Sequence, residues 1–253
     1  MDTLDYYIKY NLHIGHTIEL IAALAGSYYI IKNRNAPNRF KYFAWYLWFV
    51  LIADIFGIYT VWNYFDNYQT FPWLKNSPFA KNEWYFNCLT VIKYIVYSSL
   101  FIVSLATSKI KRVLKWAILV YLIIGIVEIL FIGNVFTEYI ITNIFLGTLL
   151  LLICVGAYFQ KLAQSDDIIN FSRDLTFYIA IGAVIWNLCV TPIYIYNSYF
   201  NTKNEEFILL FAAILRYSNI FMYGIFSFGF IYCAQEKQLP ELAKIKELNE
   251  TRD

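Results

Sequence analysis

Residues 42–64 read YFAWYLWFVLIADIFGIYTVWNY and carry one formal charge, at Asp54. A helix rises about 1.5 Å per residue, so a run of this length crosses the roughly 30 Å hydrocarbon core of a bilayer. The stretch therefore predicts a membrane-spanning helix, and Asp54 is the residue in it that requires an explanation.

Further apolar runs of similar length occur along the chain, and the candidate spans fall at about residues 11–31, 42–64, 84–107, 116–133, 139–160, 174–197 and 207–233. Of the 253 residues, 60% are hydrophobic and 15% are charged, which is more apolar surface than a soluble domain of this size buries. We predict an all-α membrane protein, with a seven-transmembrane-helix bundle over residues 1–233 and a short charged tail over residues 234–253. The composition excludes an ordinary soluble domain, a disordered chain and a secreted disulfide scaffold.

Basic residues outside the spans are distributed unequally between the two sides. Fourteen lie in the loops after spans one, three and five and in the tail, and four lie on the opposite side. Loops rich in Lys and Arg stay in the cytoplasm, so we predict an outside N-terminus and a cytoplasmic C-terminus in the plasma (inner) membrane. The tail repeats Leu and Ile among Glu and Lys, which indicates either an amphipathic helix at the cytoplasmic surface or a frayed, solvated end.

A few polar residues lie inside the spans, where charge is costly. One ionised group near the bilayer centre costs about 2.5–3.5 kcal/mol on insertion scales, so such groups pair, lose their charge or face an aqueous cavity. Counted from the predicted outer ends, these residues fall in the outer half of the bundle or near its midplane. We predict a polar ligand pocket, open to the outside, formed by Glu19, Asp54, Lys93, Glu128, Asn187, Arg216 and Asn219. The alternative is a buried ion-pair network that only fixes helix packing.

One stripe of span one carries side chains that bind metals in other proteins. His13, His16 and Glu19 follow one another at three-residue intervals, which places them on one helix face. They include both histidines of the chain, and a seven-helix membrane hydrolase of the ceramidase type needs more. We therefore predict no metal and no other cofactor, with this stripe as the one candidate for a metal site.

The chain lacks the residues that several other functions require. A retinal pigment requires a lysine in the last span, where this chain has Arg216 and no lysine. The net charge of +2 gives no basis for nucleic-acid binding. No phosphate-binding loop, dinucleotide-binding motif or HExxH motif is present, so we do not expect an enzyme.

Three stretches resemble a known group of proteins. They are NRFKYFAWYLWFVLIADIFGIY (residues 38–59), WYFNCLTVIKYIVYSSLF (residues 84–101) and IVEIL (residues 126–130). Together they resemble a loosely defined group of seven-helix inner-membrane proteins of Bacteroidetes. The resemblance covers most of the chain and implies the fold, and it implies no activity.

The function that these features favour is that of a receptor or sensor. A small molecule, an ion or a lipid group would bind in the outer-half pocket and bias the arrangement of the helices. Since no effector domain is visible, the response would pass to a protein partner at the cytoplasmic loops and tail. Two alternatives stay open: a small ion or solute transporter, and a non-catalytic subunit of a larger membrane complex.

Overall fold

The computed structural model describes residues 3–9, 11–105, 109–132, 134–197 and 205–236. Within these ranges the chain forms helices and no strand. The α-helices are α1 (Thr3–Lys9), α2 (Leu12–Lys32), α3 (Asn38–Gly57), α4 (Tyr59–Phe65), α5 (Glu83–Ser104), α6 (Lys109–Val127), α7 (Ile141–Ala163), α8 (Leu175–Asn197) and α9 (Glu205–Glu236). A π-helical turn (Glu128–Ile132) extends α6, and three short 3₁₀ helices lie at Pro72–Leu74, Pro78–Ala80 and Asp166–Arg173.

Seven helical segments in the described ranges are long and apolar enough to cross a membrane, which confirms the predicted seven-helix architecture. They are Leu12–Lys32, Asn38–Phe65, Glu83–Ser104, Lys109–Phe131, Ile141–Ala163, Leu175–Tyr196 and Leu209–Gln235. The largest difference from the sequence-based bounds is at the fourth segment, which begins at residue 109 and not at 116. The predicted tail lies outside the described residues from residue 237 onward.

The seven long helices form a closed ring. Each of them packs against the next in chain order, and α9 returns to pack against α2. Helix α5 also contacts α7 and α8, in addition to its neighbours α3 and α6. It therefore occupies the most central position, and a side chain on α5 can influence most of the bundle.

Small residues set the closest helix contacts. A Cβ atom added to Gly26 on α2 would lie 2.9 Å from the Cβ of Ala44 on α3. A Cβ atom added to Gly147 on α7 would lie 2.1 Å from the ring of Tyr94 on α5. Lipid provides no hydrophobic driving force between helices, so the helices associate through close packing. Small residues permit the backbones to approach closely enough for it.

The surface of the bundle is apolar, as contact with lipid requires. Trp45 and Trp116 near one end are 70% and 62% exposed, and Trp62 and Trp73 near the other end are 57% and 64% exposed. Tryptophan favours the level of the lipid headgroups, so these four rings agree with a bilayer-spanning orientation of the helices. We call the end that carries residues 66–82 the long-loop end, and the other the opposite end.

The second span is broken close to Asp54. Helix α3 ends at Gly57 and α4 begins at Tyr59. The hydroxyl of Tyr85 donates to the carbonyl oxygen of Ala53 (3.2 Å), and the amide of Asn82 donates to that of Gly57 (3.0 Å). The beginning of α5 thus satisfies backbone groups at the break and holds Asp54 next to α5.

The opposite end is packed with aromatic rings. Phe43 on α3 lies 5.5 Å from Phe226 and 6.3 Å from Phe230, between ring centroids, and both partners belong to α9. Its ring also lies 5.6 Å from that of Tyr97 on α5. Phe43, Phe226 and Phe230 are at most 1% exposed, so this region is a dry core.

Candidate ligand site at the long-loop end of the bundle

Three of the predicted pocket residues meet inside the bundle. The carboxyl groups of Glu19 on α2 and Asp54 on α3 are close enough to share a hydrogen bond, and Lys93 on α5 interacts electrostatically with Asp54. Glu19 is 3% exposed, and its Oε2 atom has no hydrogen-bond partner. The two acidic side chains therefore lie close to each other and beside Lys93.

The ammonium group of Lys93 faces two aromatic rings. Its Nζ lies 4.2 Å from the centroid of Trp186 on α8 and 4.5 Å from that of Tyr94. Within the described part of the chain, no carboxylate oxygen lies within 4.0 Å of Nζ. Lys93 thus packs against two aromatic rings, as in cation–π contacts, and the direct ion pair that the alternative interpretation of the sequence required is not seen in this part of the chain. We call Glu19, Asp54, Lys93, Trp186 and Tyr94 the polar core.

Asn219 joins the polar core through Trp186. The indole Nε1 of Trp186 donates a hydrogen bond to Oδ1 of Asn219 on α9, at 2.5 Å. This bond fixes the indole plane on which Lys93 rests, so Asn219 orients Trp186. Asn219 was predicted from the sequence but Trp186 was not, because an indole in an apolar span carries no distinctive pattern.

Asn187 holds Tyr94 in place. The hydroxyl of Tyr94 donates to Oδ1 of Asn187 at 2.9 Å and lies 2.8 Å from the hydroxyl of Thr148. The amide of Asn187 donates in turn to the carbonyl oxygen of Ala183 at 2.7 Å, and Thr148 lies 2.9 Å from the hydroxyl of Thr191. Asn187 is 2% exposed, and partners inside the protein already engage both atoms of its amide. Asn187 therefore holds Tyr94 in position and does not face an open site.

Tyr7 connects the polar core with the long-loop end. Its hydroxyl lies 2.9 Å from Nδ1 of His16, and the two rings stack with a centroid distance of 5.6 Å. His16 interacts electrostatically with Asp54. Partial burial, and next the Glu19 carboxyl, raise the pKa of the Tyr7 hydroxyl. Tyr7 was not predicted as a site residue from the sequence, because it precedes the first span.

The candidate metal stripe is not confirmed. Within the described residues, no group of three or more His, Cys, Asp and Glu side chains is arranged to hold a metal ion. His16 is engaged by Tyr7 and Asp54, whereas the Nδ1 atom of His13 is buried without a partner. Residues at three-residue intervals share a helix face, yet they lie about 5 Å apart along the axis, so their side chains need not converge.

Two predicted residues take no part in the polar core. The guanidinium of Arg216 lies 5.9 Å from the ring of its neighbour Tyr217 and has no carboxylate oxygen within 4.0 Å among the described residues. Glu128 lies at the π-helical turn after α6 and approaches Thr142 on α7. The structure therefore does not bring all seven predicted residues together in one place, and the ligand pocket itself stays a prediction.

A cavity of about 440 Å³ lies at the long-loop end, between α1 and α4. Thr3, Leu4, Tyr7 and Trp62 line it. A second cavity of about 320 Å³ lies nearby, against residues 64–75. Tyr7 both lines the first cavity and lies 2.9 Å from Nδ1 of His16.

No family model, no curated protein and no solved structure matches this chain. Its architecture, a ring of seven membrane-crossing helices with buried charges at one end, is the basis for the function proposed next.

Proposed function

We propose that this chain is a membrane protein of the receptor or sensor type, which binds a small ligand at the polar core. The main support is the environment of Lys93. Its ammonium lies between two rings inside the bundle, beside an acid pair, with no carboxylate oxygen within 4.0 Å in the described part of the chain. A network that served only to fix helix packing would bring opposite charges into direct contact, because an unpaired intramembrane charge is costly.

The chemistry of the polar core favours a ligand with an anionic group. A carboxylate would give Lys93 a direct ion pair, which it lacks within 4.0 Å in the described part of the chain, and a hydrogen-bond donor on the same molecule would meet the unpartnered Oε2 of Glu19. The ligand would enter from the long-loop end, past Tyr7 and His16, where the cavity of about 440 Å³ lies.

The position of Lys93 on α5 supports a conformational response. Helix α5 contacts α3, α6, α7 and α8, so a ligand that shifts Lys93 biases the packing of four other helices. The asymmetry of basic residues supports an orientation in the plasma membrane with the long-loop end outside. A protein partner at the cytoplasmic loops and tail would then receive the response.

Binding is tested on the purified protein in lipid nanodiscs. With succinate and glycine as anionic and zwitterionic probes, we expect a rise in Tm that ethanolamine does not produce. The rise should disappear in Lys93→Met, because that substitution removes the cation and keeps a similar volume. In the control Lys81→Met, which changes a side chain 60% exposed at the long-loop end, the rise should persist. Equal shifts for anionic and cationic probes, or a shift retained in Lys93→Met, contradict a ligand at Lys93.

Two further experiments distinguish the receptor from its alternatives. A transporter needs a polar path through both halves of the bundle, whereas the opposite end is a dry aromatic core around Phe43. Uptake of a labelled probe into reconstituted vesicles would therefore contradict the receptor proposal. Loss of the chain from the membrane when one partner protein is deleted would instead support the subunit alternative.

A further inference from the structure

A second group of buried polar atoms lies between α6 and α7, outside the polar core. Asn143 on α7 is 1% exposed, and neither Oδ1 nor Nδ2 of its side chain has a hydrogen-bond partner. Buried amides in folded proteins are almost always hydrogen-bonded, or bound to a water or an ion. The side chain of Asn143 therefore has unused hydrogen-bonding capacity inside the protein.

Glu128 brings a carboxyl group next to the same part of α7. Its Oε2 atom is sealed from solvent without a hydrogen-bond partner, and its carboxyl group is close enough to Thr142 for a hydrogen bond. Thr142 directly precedes Asn143 in α7, so the carboxyl group reaches the turn that carries the unpartnered amide. Within the described part of the chain, no Lys or Arg nitrogen lies within 4.0 Å of Glu128.

The backbone of α6 makes room for these groups. A Cβ atom on Gly125 would lie 3.2 Å from Oδ1 of Asn143, so this oxygen faces α6 one turn before Glu128. The hydroxyl of Tyr121, one turn earlier on the same face, donates to the main-chain oxygen of Asn143 at 3.3 Å. Glu128 opens a π-helical turn (Glu128–Ile132), and such turns occur often at functional sites.

We propose that Glu128, Thr142 and Asn143 form a binding site for a monovalent cation, with Na⁺ as its ligand. Carboxylate, hydroxyl and amide oxygens are the hard donors that such cations prefer. A single carboxylate balances one positive charge, whereas Ca²⁺ is bound by six to eight oxygens, usually with several carboxylates. Glu128 lies three residues before the end of its span at Phe131, so the cation enters from the aqueous phase at the long-loop end. This site goes beyond the proposed receptor function and does not depend on it.

Thermal unfolding of the full chain in lipid nanodiscs tests the site. We expect Tm to rise by about 2–4 °C in NaCl relative to choline chloride at the same ionic strength, with saturation as the Na⁺ concentration increases. The rise should be absent in Glu128→Gln and in Asn143→Leu. Thr142 is exposed, so Thr142→Val should fold normally and require more Na⁺ for the same rise.

Glu83→Gln is the matched control, because Glu83 is another acid at the long-loop end and pairs with Lys81 at 3.9 Å. It should keep the full response to Na⁺. The proposal is overturned if the wild type unfolds at the same temperature in both salts, or if Glu128→Gln responds to Na⁺ as the wild type does.

Discussion

Helices meet through charges at the long-loop end and through rings at the opposite end. Glu19, Asp54 and Lys93 join α2, α3 and α5 with one shared hydrogen bond and longer-range attraction. Phe43 and Phe226, by contrast, join α3 and α9 by close contact without any polar group. The rings at the aromatic end make their contacts inside the bundle, whereas at the polar end Oε2 of Glu19 has no hydrogen-bond partner. The difference indicates that different kinds of contact hold the two ends of the bundle together.

The largest expected effect of a substitution lies at the aromatic end. Phe43→Ala should lower the free energy of unfolding by about 3–5 kcal/mol, because it leaves a cavity among fully buried rings. Equilibrium unfolding in mixed micelles measures the change. Phe49→Ala is the control on the same helix, since Phe49 is 43% exposed to lipid and should cost far less. If both variants lose the same free energy of unfolding, the aromatic end is not a tightly packed core and does not differ from the polar end in this way.

A smaller loss is expected where a ring supports the polar core. Gly147→Ala should lower the free energy of unfolding by about 1–3 kcal/mol, because the new Cβ overlaps the ring of Tyr94. It should also weaken ligand binding, since Tyr94 is one of the two rings below Lys93. Gly224→Ala is the control: a Cβ there meets no atom within 4 Å, and replacing a helix glycine should stabilise the protein by about 0.5–1 kcal/mol. If Gly147→Ala changes neither stability nor ligand binding, Tyr94 does not support the polar core.

The smallest effect is expected at the entrance. Tyr7→Phe removes the hydroxyl that faces Nδ1 of His16 and should lower the free energy of unfolding by about 0.5–1.5 kcal/mol. Hydrogen exchange should become faster in α1 and remain unchanged at Phe43. Tyr64→Phe, at a ring 66% exposed, should leave exchange in α1 as it is. If both variants behave alike, Tyr7 does not hold α1 over the polar core.

Several features could be predicted from the sequence because they depend on each residue and its immediate neighbours. The cost of placing a residue in hydrocarbon is a local property, so the seven spans and the exceptional residues inside them were identified correctly. The orientation of the termini, the membrane and the receptor function remain predictions.

The partners of the buried charges were decided by the tertiary structure alone. Successive residues on a helix point about 100° apart, so a small rotation of one helix exchanges a carboxylate partner for a ring. Lys93 consequently faces Trp186 and Tyr94, while Glu128 lies apart beside Thr142. The sequence alone determined that the bundle spans a membrane and contains charged residues. Only the packing of the helices against one another decided which of these residues meet, because contacts between helices depend on rotation and distance that no single span specifies.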